Sequence, residues 1–255
     1  MSFSDATTFV PPSTIGAADS FEGPVSFKLL YFPIHSNGAT SREILSYGRA
    51  QWTNLIPEDW DQEKIRTPFH VVPVLYIATQ LGNELILSEA GVIEQYLAKQ
   101  FGLLGDNEYE ENLIRIFHSS SASMQNNHAA SAVWVAPEAR AAGVAAFREG
   151  ALRTWMETHE KHLMANGNNG HYVGNKLSLA DIRTANAIDH LGLQPGGQQL
   201  VDLIMRSPAL RKVHATVAQT PRIAAWRASQ EYQLLSKGTK AFFVDPTGLT
   251  IKSRV

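Results

Sequence analysis

The chain contains no cysteine. That excludes a disulfide framework and a catalytic thiolate, so any sulfur chemistry has to arrive on a bound ligand. It also lacks a block of like charge: 22 Lys and Arg are scattered among 24 Asp and Glu, for a formal net charge of −2. Such a distribution gives no electrostatic hold on nucleic acid or on an anionic membrane, and neither is expected as a partner. No apolar run approaches the roughly 20 residues that cross a bilayer. The opening "MSFSDATTFVPPSTIGAADSFEG" has neither the basic start nor the continuous apolar stretch of a signal peptide, so residues 1–24 are expected to be a mobile tail and the protein cytoplasmic. There is no internal repeat.

What is present is an ordinary core-forming composition: 255 residues, 44% hydrophobic and 18% charged, enough for one large domain or two modest ones. The texture changes near residue 105. Before it, "VSFKLLYF" (25–32), a helix around "TSREILSYGRA" (40–50), "VVPVLYI" (71–77), "ELILS" (84–88) and "EAGVIEQYLAKQF" (89–101) read as βα followed by ββα. After it, helical spacing runs through 109–124, 145–165, 178–193, 198–205 and 209–232. Strands first and helices afterwards predict a small α/β domain over 25–104 and an all-helical domain over 105–235. The closing segment 236–255 reads as an irregular tail whose Phe242 and Phe243 pack back on the body.

Pro73 interrupts the buried-strand pattern of "PFHVVPVLYI". It has no N–H for a ladder and is normally pushed to an edge or a turn. In the helical half, "LSLADI" is a capping box, Ser178 and Asp181 bonding each other's backbone N–H. "HEKH" sets His159 and His162 three apart, which is not the zinc spacing HExxH; they read as solvated helix histidines, and no metal is expected.

Four stretches in order, "KLLYF", "EDWDQEKIRTPFHVVPVL", "SEAGVIEQYL" and "LSLADI", resemble the cytosolic glutathione transferases, closest to the Tyr-type, sigma-like classes, over roughly residues 26–235. The resemblance implies a thioredoxin-like N-terminal domain, an all-helical C-terminal domain, a two-fold homodimer, and glutathione as co-substrate beside a small electrophile. It implies a cis bond before Pro73, which would leave the N–H and C=O of Val72 free to pair with a peptide backbone. Tyr31 stands where the pattern places its thiol-activating tyrosine. A thiol of pKa about 8.5 is mostly neutral at pH 7, and a phenol aimed at the sulfur favours the thiolate. The loop "FPIHSNGATSRE" is longer than the sigma-like pattern, and other classes use a Ser, Cys or Asn here, so Ser36 and Asn37, with Thr40 and Ser41 beside them, are alternative activators or turn and cap residues. Arg42 matches the family's arginine in this helix.

Trp60 and Lys64 match the pair that grips the glycine end of glutathione. Counting back seven and six positions from Tyr96 reaches Glu89 and Ala90. Glu89 matches the group that holds the γ-glutamyl end, but Ala90 stands where the family has a Ser or Thr hydroxyl. One hydrogen bond to a charged group contributes about 1.5–3 kcal/mol, so this departure weakens glutathione binding unless Ser88 or the helix N–H groups substitute. "FHSSSASMQNNH" is polar for a helix lining a second-substrate pocket, so His118, Ser121 and Met124 are expected to face a polar co-substrate. The alternatives are a non-catalytic binding protein on this fold and a specialised-pathway enzyme that does not use free glutathione.

Overall fold

The computed structural model describes residues 3–10 and 26–245. Four strands form one mixed sheet in the order β2-β1-β3-β4: β1 Ser26–Leu30, β2 Trp52–Leu55, β3 Val74–Ala78 and β4 Glu84–Ser88. β1 runs parallel to β2 and antiparallel to β3, and β3 runs antiparallel to β4. Helix α1 (Ala39–Tyr47) connects β1 to β2, the short α2 (Trp60–Glu63) follows β2, and α3 (Ala90–Gln100) follows β4. This is the expected thioredoxin-like α/β arrangement. The sequence reading had no β2, because "WTNL" alternates half-buried and exposed positions over only four residues.

Eight helices follow among the described residues: α4 Glu108–His128, α5 Arg140–Phe147, α6 Arg153–Ala165, α7 Leu179–Gly192, α8 Gln198–Ile204, α9 Pro208–Gln219, α10 Pro221–Arg227 and α11 Gln230–Val244. Their starts are written locally. Asn107 caps α4 by accepting from the N–H of Glu110 at 3.0 Å, and Ser207 and Ser229 cap α9 and α11 in the same way. Pro221 ends α9 and opens α10. The capping box is present: Asp181, fully buried, accepts from the N–H and hydroxyl of Ser178 at 2.9 and 3.0 Å and from the N–H of Tyr172 at 2.8 Å. It therefore starts α7 and ties the preceding loop to it. α7 is the central helix, nearly all of it buried.

Three expectations are corrected. Residues 3–10 are not a free tail: Phe3 and Ala6 are buried, Phe3 against Leu30, Leu55, Val74 and Tyr76. Arg66 donates to the Phe3 carbonyl and Tyr76 to that of Ser4. Residues 236–244 belong to α11 rather than an irregular tail, although Phe242 and Phe243 do pack on the body, beside Tyr31, Ile34 and Val133; residues 246–255 lie outside the described part. His159 is buried, not solvated: one ring nitrogen meets the Tyr172 hydroxyl at 2.6 Å and the other Ser120 at 2.8 Å. His162 is exposed, as read.

α11 lies on the loop that follows β1. The N–H of His35 donates to Thr239 Oγ1 at 2.8 Å, and His35 Nε2 meets Ser236 at 2.9 Å. Gly238 faces the same loop, and a methyl there would collide with the carbonyl oxygen of Pro33. We therefore expect Gly238→Ala to destabilise by roughly 1–3 kcal/mol by overpacking, although alanine favours a helix by about 1 kcal/mol over glycine. Gly150→Ala, where a new Cβ meets nothing within 4 Å, is the control and should be neutral or stabilising. Urea unfolding of the two variants decides it, and equal stabilities would mean that α11 does not press on the loop.

Candidate active site

The ladder register brings the predicted residues to one edge of the sheet. Leu30 pairs with Leu55 on one side and with Val74 on the other, and Val74 pairs in turn with Ser88. Tyr31 follows Leu30, Pro73 precedes Val74, Glu89 follows Ser88, and Trp60 opens the helix after β2. Positions far apart in the chain thus leave the sheet at one level.

Tyr31 is 5% exposed. Its hydroxyl oxygen accepts from the N–H of Asn37 at 3.2 Å, and the Ser36 side chain also bonds it. Burial raises the phenol above its ordinary value, while those two hydrogen bonds and the charge of Arg42 pull the other way. The group stays protonated at neutral pH and remains a donor. The three candidates of this region therefore form one cluster, with Ser36 and Asn37 holding the Tyr31 oxygen. The turn is tight: Ser36 has φ 35°, in the left-handed region that disfavours side chains.

Arg42 is fully buried below them. It donates to the carbonyls of Ile34 at 2.6 Å and Phe32 at 3.0 Å and to Asn54 Oδ1 at 3.2 Å, with its guanidinium 5.5 Å from the Tyr31 ring centre. Burial lowers its pKa to about 10, so it remains charged. These bonds fasten the loop that carries Tyr31.

The Val72–Pro73 peptide bond is cis. Val72 lies outside both ladders, whose first pair on β3 is Val74, and its side chain packs against the clusters of Leu30 and of Tyr31. Trp60 meets Phe32 edge-on at 5.3 Å, and Phe32 meets Tyr31 at 5.6 Å. The Lys64 ammonium bonds Asp61 at 3.2 Å on the half-exposed surface. Glu89 is exposed with φ 71° and ψ 120° at the N-terminus of α3, a strain of about 1–3 kcal/mol of the kind held at ligand clamps. Ala90 begins the helix, and the Ser88 hydroxyl beside it is buried without a partner.

His118 is a correction. It is 3% exposed and bonds Glu94 at 2.6 Å, with Arg183 at 3.7 Å from the same carboxylate, so it is turned into the seam of α3, α4 and α7 rather than toward an open cleft. Ser121 is likewise spent, on Thr184 at 2.8 Å. The polar face of α4 is internal, and its buried His128, with His190 and Gln194 from the α7 end, escaped the sequence reading. The signal for His128 was the polarity of "FHSSSASMQNNH". Among the described residues no group of three or more His, Cys, Asp or Glu gathers as a metal set, and no helix is long and apolar enough to cross a membrane.

Known proteins share both sequence and fold with this chain. The family model described as "Glutathione S-transferase, C-terminal domain" matches residues 125–230. S-crystallin SL11 of Nototodarus sloanii is 26% identical over 212 residues, 79% of this chain and 95% of that protein. "Glutathione S-transferase P" of Caenorhabditis elegans is 29% identical over 206 residues, 79% of this chain and 92% of its own. The solved sigma class GST of Fasciola hepatica superimposes with a TM-score of 0.69 at 20% identity, covering 81% of this chain and 98% of that one. Along both domains, and with the sheet edge, loop and helix starts in the order their motifs require, the chain is similar in sequence and fold to the cytosolic glutathione transferases.

Proposed function

We propose that the protein is a glutathione transferase-like enzyme that activates the glutathione thiol for attack on a small electrophile held between the two domains. The observation that carries this reading is the meeting of Tyr31, Val72, Pro73, Glu89 and Trp60 at one sheet edge, with a protonated phenol held by Ser36 and Asn37. Tyr31 donates to the sulfur. Val72 pairs with the peptide backbone, and Trp60 and Lys64 take the glycine carboxylate once Lys64 leaves Asp61. Glu89, with the Ser88 hydroxyl and the first N–H groups of α3, takes the γ-glutamyl end. Conjugation, isomerisation and peroxide reduction share this first step. The working protein is a cytoplasmic homodimer, with exposed Tyr109 and Ile116 on α4 available to a partner copy.

Calorimetric titration with reduced glutathione tests the reading. Binding is expected in the micromolar to low millimolar range, and no detectable binding overturns the glutathione assignment. In the same assay Ala90→Ser supplies the hydroxyl the family uses and should tighten binding about tenfold. An unchanged affinity would mean that Ser88 already fills that place. A second reading, a binding protein without turnover, is favoured by Ala90 and by the cover that Phe242 and Phe243 give Tyr31. Glutathione binding with no turnover of any electrophile would select it.

A further inference from the structure

Several polar atoms buried along α4 and α7 have no hydrogen-bond partner, His118 Nδ1 and Arg183 Nε and Nη1 among them, and three nitrogens gather at one end: Nδ1 of His128, Nδ1 of His190 and Nε2 of Gln194. Their residues are 0%, 7% and 8% exposed. His128 Nε2 and Gln194 Oε1 lie 2.6 Å apart, and burial holds both imidazoles neutral. The amide oxygen can only accept, so His128 Nε2 carries the proton, Nδ1 is a bare acceptor, and the Gln194 NH2 keeps a free donor. With the amide turned over, the pair would instead leave the Gln194 oxygen as acceptor and a His128 Nδ1–H as donor. Either way one acceptor and one donor remain, with a second neutral imidazole beside them.

A hydroxyl, which both donates and accepts, answers both at once. A carboxylate has no proton for the bare acceptor, and an ammonium cannot take the donor's. The surroundings are aromatic: Phe147 stands 5.2 Å from the His128 ring, and Phe243 is 5.1 Å from His190 and 6.4 Å from His128. Phe243 also belongs to the apolar cluster of Tyr31, Ile34 and Val133, so it separates the three nitrogens from the Tyr31 loop.

We propose that His128, His190 and Gln194 form a subsite for the hydroxyl of an aromatic co-substrate, such as a phenol, and that Phe243 of α11 fills its mouth until the ligand displaces it. The assignment rests on the reading that the cleft beside Tyr31 receives the electrophile. It adds the class of molecule: an apolar ring carrying a hydroxyl, with the reacting carbon left on the Tyr31 side.

The test uses the full chain without glutathione and two unreactive probes, 4-hydroxybiphenyl and its methyl ether 4-methoxybiphenyl, titrated by calorimetry. The phenol should bind at least about tenfold tighter, because a site built to pair a hydroxyl rejects the analogue lacking the O–H. Phe243→Ala should strengthen both probes. His128→Phe and Gln194→Leu, each checked for a native circular dichroism spectrum, should bring the two probes to within about threefold of each other. In the unaltered protein the phenol, and not the ether, should shift the ring nitrogen resonances of His128 and His190, a readout that needs no variant. Equal affinities, a preference surviving both substitutions, unmoved imidazole resonances, or no phenol binding even by Phe243→Ala overturns the subsite. Glutathione titration is a separate measurement, so the failure of either assignment is distinguishable from failure of the other.

Discussion

Tyr31→Phe is expected to lower kcat about a hundredfold while moving the glutathione KM less than about threefold, the pattern of an interaction made with developing charge rather than with the ground state. The phenol is kept protonated by burial, and the Asn37 N–H on its oxygen polarises the O–H without competing for its proton. Aimed at a thiol of pKa about 8.5, such a donor favours the charged sulfur and lowers that pKa. Without it, the rise of activity with pH should move upward by roughly one unit or more. The substitution also removes the two hydrogen bonds that Ser36 and Asn37 make to the hydroxyl, about 1 kcal/mol each, so thermal unfolding is measured beside the kinetics to separate loss of chemistry from loss of fold. Unchanged turnover with an unchanged pH profile would sink the tyrosine mechanism and leave the thiol to Ser36 and the Asn37 amide.

The features that read correctly from the sequence are those whose cause is local. The capping box of α7, the apolar period of α3 and the strand–Pro–strand signal each depend on residues within a few positions of one another. Ladder pairing then carried Tyr31, Pro73 and Glu89 to a common edge, as the order of motifs implied. What stayed hidden depends on partners distant in the chain. Arg42, Glu43 and His159 are residue types that belong on surfaces, yet all three are buried. Glu43 is buried because Arg227, 184 positions away, bonds it at 2.6 Å, and His159 because Tyr172 and Ser120 complete its ring. Gly238 looked like a loop residue. Its use is to let a helix backbone approach Pro33, and no helical pattern in α11 announces that contact.

Acid should unfold the protein between about pH 6.5 and pH 4, and the cause is the same internal set of imidazoles. His35 is lowered from 6.5 to about 4, chiefly by burial with a further push from Arg42. His159 and His190 are each lowered to about 3, again chiefly by burial, aided by His162 for the first and by His128 and Arg183 for the second. In the unfolded chain all three titrate near 6.5, so below that pH the unfolded state binds protons that the folded state refuses. The stability they confer is complete above about pH 7 and is lost as pH falls toward 4 and 3. Each buried ring stands for roughly 3–5 kcal/mol across its full window, and three together rival the roughly 5–15 kcal/mol of a whole domain. Unfolding should therefore arrive before the folded-state values are reached. Far-ultraviolet circular dichroism followed from pH 8 to pH 3 gives the midpoint, and His159→Gln, which keeps hydrogen-bonding atoms at that position but cannot take up a proton, should shift it to lower pH. A helix signal that holds flat to pH 4 would mean that these rings are already charged in the folded protein. The hydrogen bonds assigned to His159 and His35 would then have to be redrawn with the imidazolium as donor on both nitrogens.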